Sequence, residues 1–223
     1  MSAHTIPRST DARGPRAFTL LELLVVVAIM TIVASLCVPA VVTMMRGYAL
    51  NASGDSVVNQ LVLARQTALE KGHAVEARFF LMPNYNQPFT SGTLAVYRGM
   101  QCFLEGDPVV STTGSASTPT TAVSNALYFS SPVVILNNTS QSTLLGSPLL
   151  AADPAQPLGA YRSNYKYIVF RFTPDGRTDL PDTLACVTLV IQQDRINSST
   201  GLPANFQTIQ IDPVTGAVRN FHP

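Results

Sequence analysis

The chain is poor in charge: 12% of its 223 residues are Asp, Glu, Lys or Arg, about half the usual share, and the formal net charge is +1. That balance gives no global electrostatic case for nucleic acid as a partner. Histidine and cysteine are also scarce, at three each. Three cysteines are too few for a disulfide framework, and no two stand at the spacing of a zinc or redox motif. The sequence contains no GxxxxGK(S/T), GxGxxG or HExxH, so the familiar nucleotide, dinucleotide and zinc-protease routes are missing. No serine occupies a GxSxG elbow, and His4, His73 and His222 are widely separated. His73 and Glu76 alone fall at a ligand-like spacing, and such a pair at a helix-to-strand junction reads as solvated surface. The expectation is a protein without catalytic site, metal or cofactor.

What the chain does have is hydrophobicity, at 46% of residues, with Gly, Pro, Ser and Thr scattered over many turns. The length suits one domain plus appendages, and the punctuation suits a β-rich domain rather than a helical bundle or a disordered chain.

The hydrophobicity is concentrated at one end. Residues 1–17, MSAHTIPRSTDARGPRA, are polar and carry Arg8, Arg13 and Arg16, whereas Leu20 to Val38 is nearly all apolar. Phe18 to Val38 is long enough, at about 1.5 Å per residue, to cross a hydrocarbon core of about 30 Å as a helix. A secretory signal places its small-residue cleavage site after the apolar core. Here the small residue, Ala17, precedes it, so cleavage at that point keeps the helix. Removing residues 1–17 takes away three arginines and Asp11, and the formal charge falls from +1 to about −1. The arginines before the helix predict a cytoplasmic N-terminus, with the residues after about Met45 across the membrane.

Glu22 is the one charge within the apolar run. A carboxylate near the end of such a helix costs a few kcal/mol to bury and normally persists with a partner or a function. Cutting before Phe18 creates an α-amino group within one helical turn, a cation able to neutralise Glu22 in the same or a neighbouring subunit. The plainer alternative is a glutamate resting at headgroup depth.

The run RGPRAFTLLELLVVVAIMTIVASLCVPAVV resembles the class III leader and N-terminal helix of type IV pilins and type II secretion pseudopilins. The resemblance implies a prepilin peptidase that cuts between Ala17 and Phe18 and methylates the Phe18 amine. It places Glu22 on the family's assembly glutamate and Pro39 on its helix-loosening proline. The family usually has glycine before the cut, where this chain has Ala17; Gly14 is followed by Pro15 and is rejected. The partners implied are prepilin peptidase, other pilin or pseudopilin subunits and the inner membrane, which the resemblance implies is crossed once, with the head periplasmic.

Beyond Met45 the pattern changes. Val58, Leu61, Val62, Ala64, Ala68 and Leu69 recur at spacings of three and four, one apolar stripe on a helix that Gly72 ends. Asn59, Gln66 and Glu70 form its polar side. From Ala74 the period becomes two, with strands expected at Ala74–Leu81, Thr93–Cys102, Tyr167–Phe172, Leu184–Gln193 and Phe206–Ile211. Asp212 to Gly216 supplies the turn of a closing hairpin, and residues 174–177 another turn. Residues 105–124 and 137–163 read as long surface loops flanking a short strand pair near Tyr128 to Leu136. The fold class is α+β: a leader (1–17), a membrane and assembly helix (18–45), an amphipathic continuation (46–72), and an antiparallel β-rich head (73–223), and the resemblance implies the pilin fold, in which the C-terminal half of the long helix packs its stripe on the sheet.

The ending carries a second resemblance. Phe172, Pro174, Gly176 and Arg177, followed by Gly216, Val218 and Arg219, resemble the Phe-x-Pro-x-Gly-Arg and Gly-x-Val-Arg segments of H-type pseudopilins and fimbrial T minor pilins. Arg171, Arg177 and Arg219 read either as solvated strand and turn positions or as a basic strip for DNA phosphates. With Cys37 inside the apolar run, Cys102 and Cys186 are the pair able to bridge in an oxidising compartment; the alternative is two buried free thiols. Three functions compete: a filament subunit, a pilin-borne DNA receptor, and a membrane-tethered domain that never polymerises.

Overall fold

In the computed structural model the described residues are 19–110, 116–117 and 119–223. One helix, α1 (Leu20–Lys71), precedes twelve strands: β1 (Val75–Pro83), β2 (Leu94–Glu105), β3 (Val109–Val110), β4 (Ala116–Ser117), β5 (Thr120–Ala122), β6 (Leu127–Tyr128), β7 (Val133–Ile135), β8 (Leu150–Ala151), β9 (Lys166–Phe172), β10 (Ala185–Ile191), β11 (Phe206–Ile211) and β12 (Val218–Phe221). Residues 1–43 and 44–223 form two separate contact units.

α1 begins with a capping interaction. The Glu22 N–H donates to Thr19 Oγ1 at 3.2 Å, which satisfies one of the amides that the first turn leaves unpaired. Glu22 itself lies in that turn, where a negative charge suits the helix dipole. At the other end Lys71 occupies the last turn, and Gly72 at φ +68° terminates the helix as the sequence suggests.

The ten-stranded sheet runs β12-β11-β10-β7-β2-β1-β9-β8, with β5 and β6 also paired to β2; every pairing is antiparallel. β3 and β4 pair separately. The second half of α1 packs on this sheet through Leu50, Val57, Leu61, Ala64 and Ala68, all fully buried against such residues as Phe79, Met100, Ile168, Leu189 and Ile209. Each large aliphatic side chain so buried contributes roughly 1.5–3 kcal/mol. The buried stripe differs from the sequence expectation by a small rotation. Val57 takes the core position, Val58 is half-buried, and Val62 and Leu69 face solvent.

The far side of the sheet is covered as well. On β1, Val75, Ala77 and Phe79 point to the helix, whereas Phe80 and Met82 join Phe103, Leu158, Tyr161, Tyr165 and Tyr167 in a second cluster. Residues 137–163 are therefore more than a surface loop: Leu144 enters the main core, and Leu158 and Tyr161 roof the opposite face. Short 3-10 turns at Thr143–Gly146 and Gly159–Tyr161 deliver those side chains.

Beside the second cluster, on the face of the sheet away from α1, lies an ionic network. Arg78, 4% exposed, is held between the rings of Phe103 and Tyr167 at 4.3 and 4.8 Å and bonds Glu76 (2.6 Å) and Asp153 (2.9 Å). Glu76 also accepts from Arg171 at 2.6 Å. Burial opposes the charge on both arginines, but their carboxylate partners outweigh it and hold both guanidinium pKa values above the ordinary one. Such a network adds little net stability, yet removing one member strands a buried charge.

Candidate assembly site

The first part of α1 presents large apolar side chains at consecutive positions, hence on every side of the helix. Leu20, Leu24 and Met30 are 82%, 62% and 65% exposed, and Val25, Val26, Val27, Ile29, Ile32, Val33, Val41, Val42, Met44 and Met45 are exposed too. A helix apolar all round has no water-facing side and is stable only among lipids or other helices. Its few hydroxyls are quiet within it: Thr31 donates to the Ala28 carbonyl (2.8 Å) and Ser35 to the Ile32 carbonyl (2.7 Å). Among the described residues no helix is long and apolar enough to cross a membrane. Ala17 and Phe18 lie outside the described residues, and α1 continues through position 39 without ending there.

Glu22 is exposed, and among the described residues no cation pairs with its carboxylate. No further charge occurs until Arg46, one residue beyond the apolar run.

At the opposite end of α1 the two closing motifs meet. Arg65 Nε donates to the Gly176 carbonyl at 3.1 Å, and the Thr178 N–H donates to the Pro213 carbonyl at 3.0 Å. Gly176 (φ +82°) and Gly216 (φ +64°) both use the left-handed region. A Cβ on Gly216 would lie 2.2 Å from the Gly176 carbonyl oxygen, so glycine there allows the two turns to touch. The Phe-x-Pro-x-Gly-Arg and Gly-x-Val-Arg segments thus form one clasp over the end of the helix. Both turns are pinned by aspartates: the Thr173 hydroxyl donates to Asp175, and the Val214 N–H donates to Asp212 Oδ1 at 3.0 Å.

The arginine strip does not survive intact. Arg171 bonds Glu105 and Glu76 at 2.6 Å and Asp179 at 3.4 Å, so three carboxylates already occupy its guanidinium. Arg177 is exposed and 3.5 Å from Asp175, and Arg219 is exposed on β12, at the other end of the strand order from β9. The bridge between Cys102 and Cys186 is likewise corrected: both are free, buried thiols. Cys102 on β2 faces the Gln60 carbonyl at 3.8 Å, and Cys186 on β10 contacts Thr143 and Gln141. β7 lies between their strands, and burial pushes the Cys102 thiol up to about 12. Glu76 is committed to two arginines, so the His73–Glu76 spacing has no ligand character.

Over residues 13–38 the chain matches the family described as the prokaryotic N-terminal methylation motif. No curated protein sequence is detectably similar to it. Among solved structures, the minor pseudopilin EpsH from the Type 2 Secretion System of Vibrio cholerae is similar at 10% identity and a TM-score of 0.40, over 78% of this chain and 97% of that one. The chain thus carries a prokaryotic N-terminal methylation motif at the start of a long helix whose second half packs on an antiparallel sheet.

Proposed function

We propose that this protein is a structural subunit, a minor pseudopilin of a type II secretion or pilus-like filament. Prepilin peptidase removes residues 1–17, the Phe18 amine is methylated, and residues 18–45 rest in the inner membrane with the head outside the cytoplasm. On assembly the helix leaves the lipid and packs among the helices of other subunits. The observation that carries this reading is the apolar surface that the described side chains of 20–35, 38 and 41–45 present on every side of the helix, with Glu22, one turn from the cleavage point, as its one charge. Such a surface has two compatible surroundings, lipid before assembly and neighbouring helices after it. The clasp formed by the two closing motifs supports an H-type head.

In this reading Glu22 and the amine of Phe18 are partners. Their pairing gives a buried acid its counter-charge and sets the register of one subunit against the next. Glu22→Ala should therefore leave membrane insertion and processing intact and abolish incorporation into filaments. The measurement is fractionation of sheared filaments, with the N-terminal mass of the membrane form as a control. Wild-type incorporation of Glu22→Ala would refute the pairing, and a native protein that retains residues 1–17 would refute the subunit reading itself.

A further inference from the structure

The β10–β11 hairpin brings its loop, residues 192–205, to the place where the chain leaves its apolar run. Arg46 Nη2 donates to Gln193 Oε1 at 3.3 Å, and a Cβ on Gly47 would lie 3.8 Å from Asn205 Nδ2. Met45 is the last residue of the uncharged stretch that begins after Glu22. The loop consequently touches residues within one helical turn of that boundary, whatever the orientation of the rest of the head. The far end of the same hairpin behaves differently. There the turn that joins β11 to β12, Asp212–Gly216, abuts Arg65, nineteen residues later in α1 and so about 28 Å along a helix axis.

The loop has an unusual surface for a solvated connection. Ile196 is 52% exposed beside an exposed Arg195. Behind them Leu202, Pro203 and Phe206 wall an open groove of about 760 Å³. An exposed branched aliphatic, a neighbouring guanidinium and an apolar recess suit a lipid interface, where carbon enters the acyl boundary and the cation meets phosphate. Asp194 is the loop's acid and is half-buried. Against it stand Arg46 and Arg195, which leaves the neighbourhood one positive charge in excess and complementary to anionic headgroups.

We infer that the 192–205 loop seats on the phospholipid headgroup layer when the subunit is held in the membrane, with Ile196 inserted and Arg46 and Arg195 against phosphates. This rests on the reading that residues 18–45 are membrane-embedded. The contact gives the unassembled subunit a second foothold, lost when the helix moves into a filament.

The chain has no tryptophan, so one introduced indole is an unambiguous reporter. Full-length Ile196→Trp, Val214→Trp and Met30→Trp are each reconstituted in vesicles of phosphatidylethanolamine and phosphatidylglycerol, with nitroxide lipids labelled at the headgroup or deep in the acyl chain. The expected result is blue-shifted emission from Ile196→Trp with loss of intensity to the headgroup quencher, no loss from Val214→Trp, and loss from Met30→Trp to the deep quencher. If Met30→Trp is quenched while Ile196→Trp emits like Val214→Trp, the inference falls and the membrane reading stands. A blue shift without quenching by either lipid would mean that protein, such as a second copy, covers the loop, and that also overturns it. An unquenched Met30→Trp would remove the membrane reading and the inference together.

Discussion

The first and second parts of α1 are both rich in Leu, Val and Ala, yet they differ in how apolar residues are distributed around the axis. Among the described side chains of the first part, 20–35, 38 and 41–45, large apolar groups point in all directions and remain exposed. From Leu50 to Ala68 the buried hydrophobic residues fall at spacings of seven, four, three and four, with Asn59, Gln66 and Glu70 on the exposed side. An amphipathic stripe names a partner within the same chain, and here that partner is the sheet. An all-round apolar surface leaves the partner outside the chain, which is why function is sought in the first stretch and stability in the second.

The comparison breaks most severely at Leu61. It is fully buried against the sheet, so Leu61→Ala should destabilise the head by about 2–5 kcal/mol, the cost of lost burial plus a residual cavity. That is a large part of the total stability of an ordinary domain. Leu24→Ala, 62% exposed at the wild-type residue, should leave the unfolding free energy of the head unchanged. Chemical denaturation of the full chain in detergent micelles, followed through the near-ultraviolet tyrosine signal, measures both. Equal losses would erase the distinction between the two stretches.

A smaller effect is expected at Gly54, where α1 passes close to the sheet. A Cβ there would lie 2.0 Å from Gln207 Oε1, and Gln207 on β11 is fully buried. Neither amide atom of that side chain has a hydrogen-bond partner among the described residues. Gly54→Ala would gain about 1 kcal/mol of helix propensity but displace a buried side chain at a cost of about 1–3 kcal/mol. A net loss of roughly 1 kcal/mol should follow. Gln207→Ala removes both the obstruction and the unsatisfied amide, so the double variant should recover the loss, and a double-mutant cycle should show strong coupling. Additive single losses would show that the close approach is not what requires glycine.

Sequence reached the helix-on-sheet architecture because its signals there are local. The three-and-four spacing of Leu61, Ala64 and Ala68, the glycine stop at Gly72, and the two-residue alternation of Phe206–Ile211 each depend on neighbours along one element. It erred where the outcome depends on which strands become neighbours. Arg171 looked free for a ligand because Glu76 and Glu105, its partners, are 95 and 66 residues away. Cys102 and Cys186 were left open between a bridge and two buried free thiols, and the free thiols hold because β7 separates their strands. Arg78 and Arg98 were not singled out at all. Alternation would put Arg78 on an exposed face, but the roof carrying Leu158 and Tyr161 covers it, and Arg98 stacks on Tyr85 at 4.3 Å with no carboxylate partner among the described residues. In the assembly segment the Thr19 cap was overlooked although Thr-x-x-Glu is a recognisable helix start.

The smallest effect concerns the clasp at the end of the second stretch, where charge rather than apolar surface decides. The Thr215 hydroxyl and amide hold the Asp212 carboxyl below the ordinary carboxylate value, and the Thr173 hydroxyl does the same for Asp175. A depressed folded-state value means that the charged carboxylate favours the folded turn. The contribution is complete above the unfolded value, about 4, and is lost as pH falls through the lower folded value. Asp175 is exposed and Asp212 half-buried at the surface, so the slope is shallow and screened by salt. Asp212→Asn keeps an acceptor oxygen without the titrating proton. Its stability should lie slightly below wild type at neutral pH and converge with it in acid, as read from denaturant midpoints between neutral and strongly acidic buffers. A constant gap across that range would mean that shape alone closes the clasp; a narrowing gap would show that the end of the packed stretch is fastened by charge, as the start of the apolar stretch is proposed to be by Glu22.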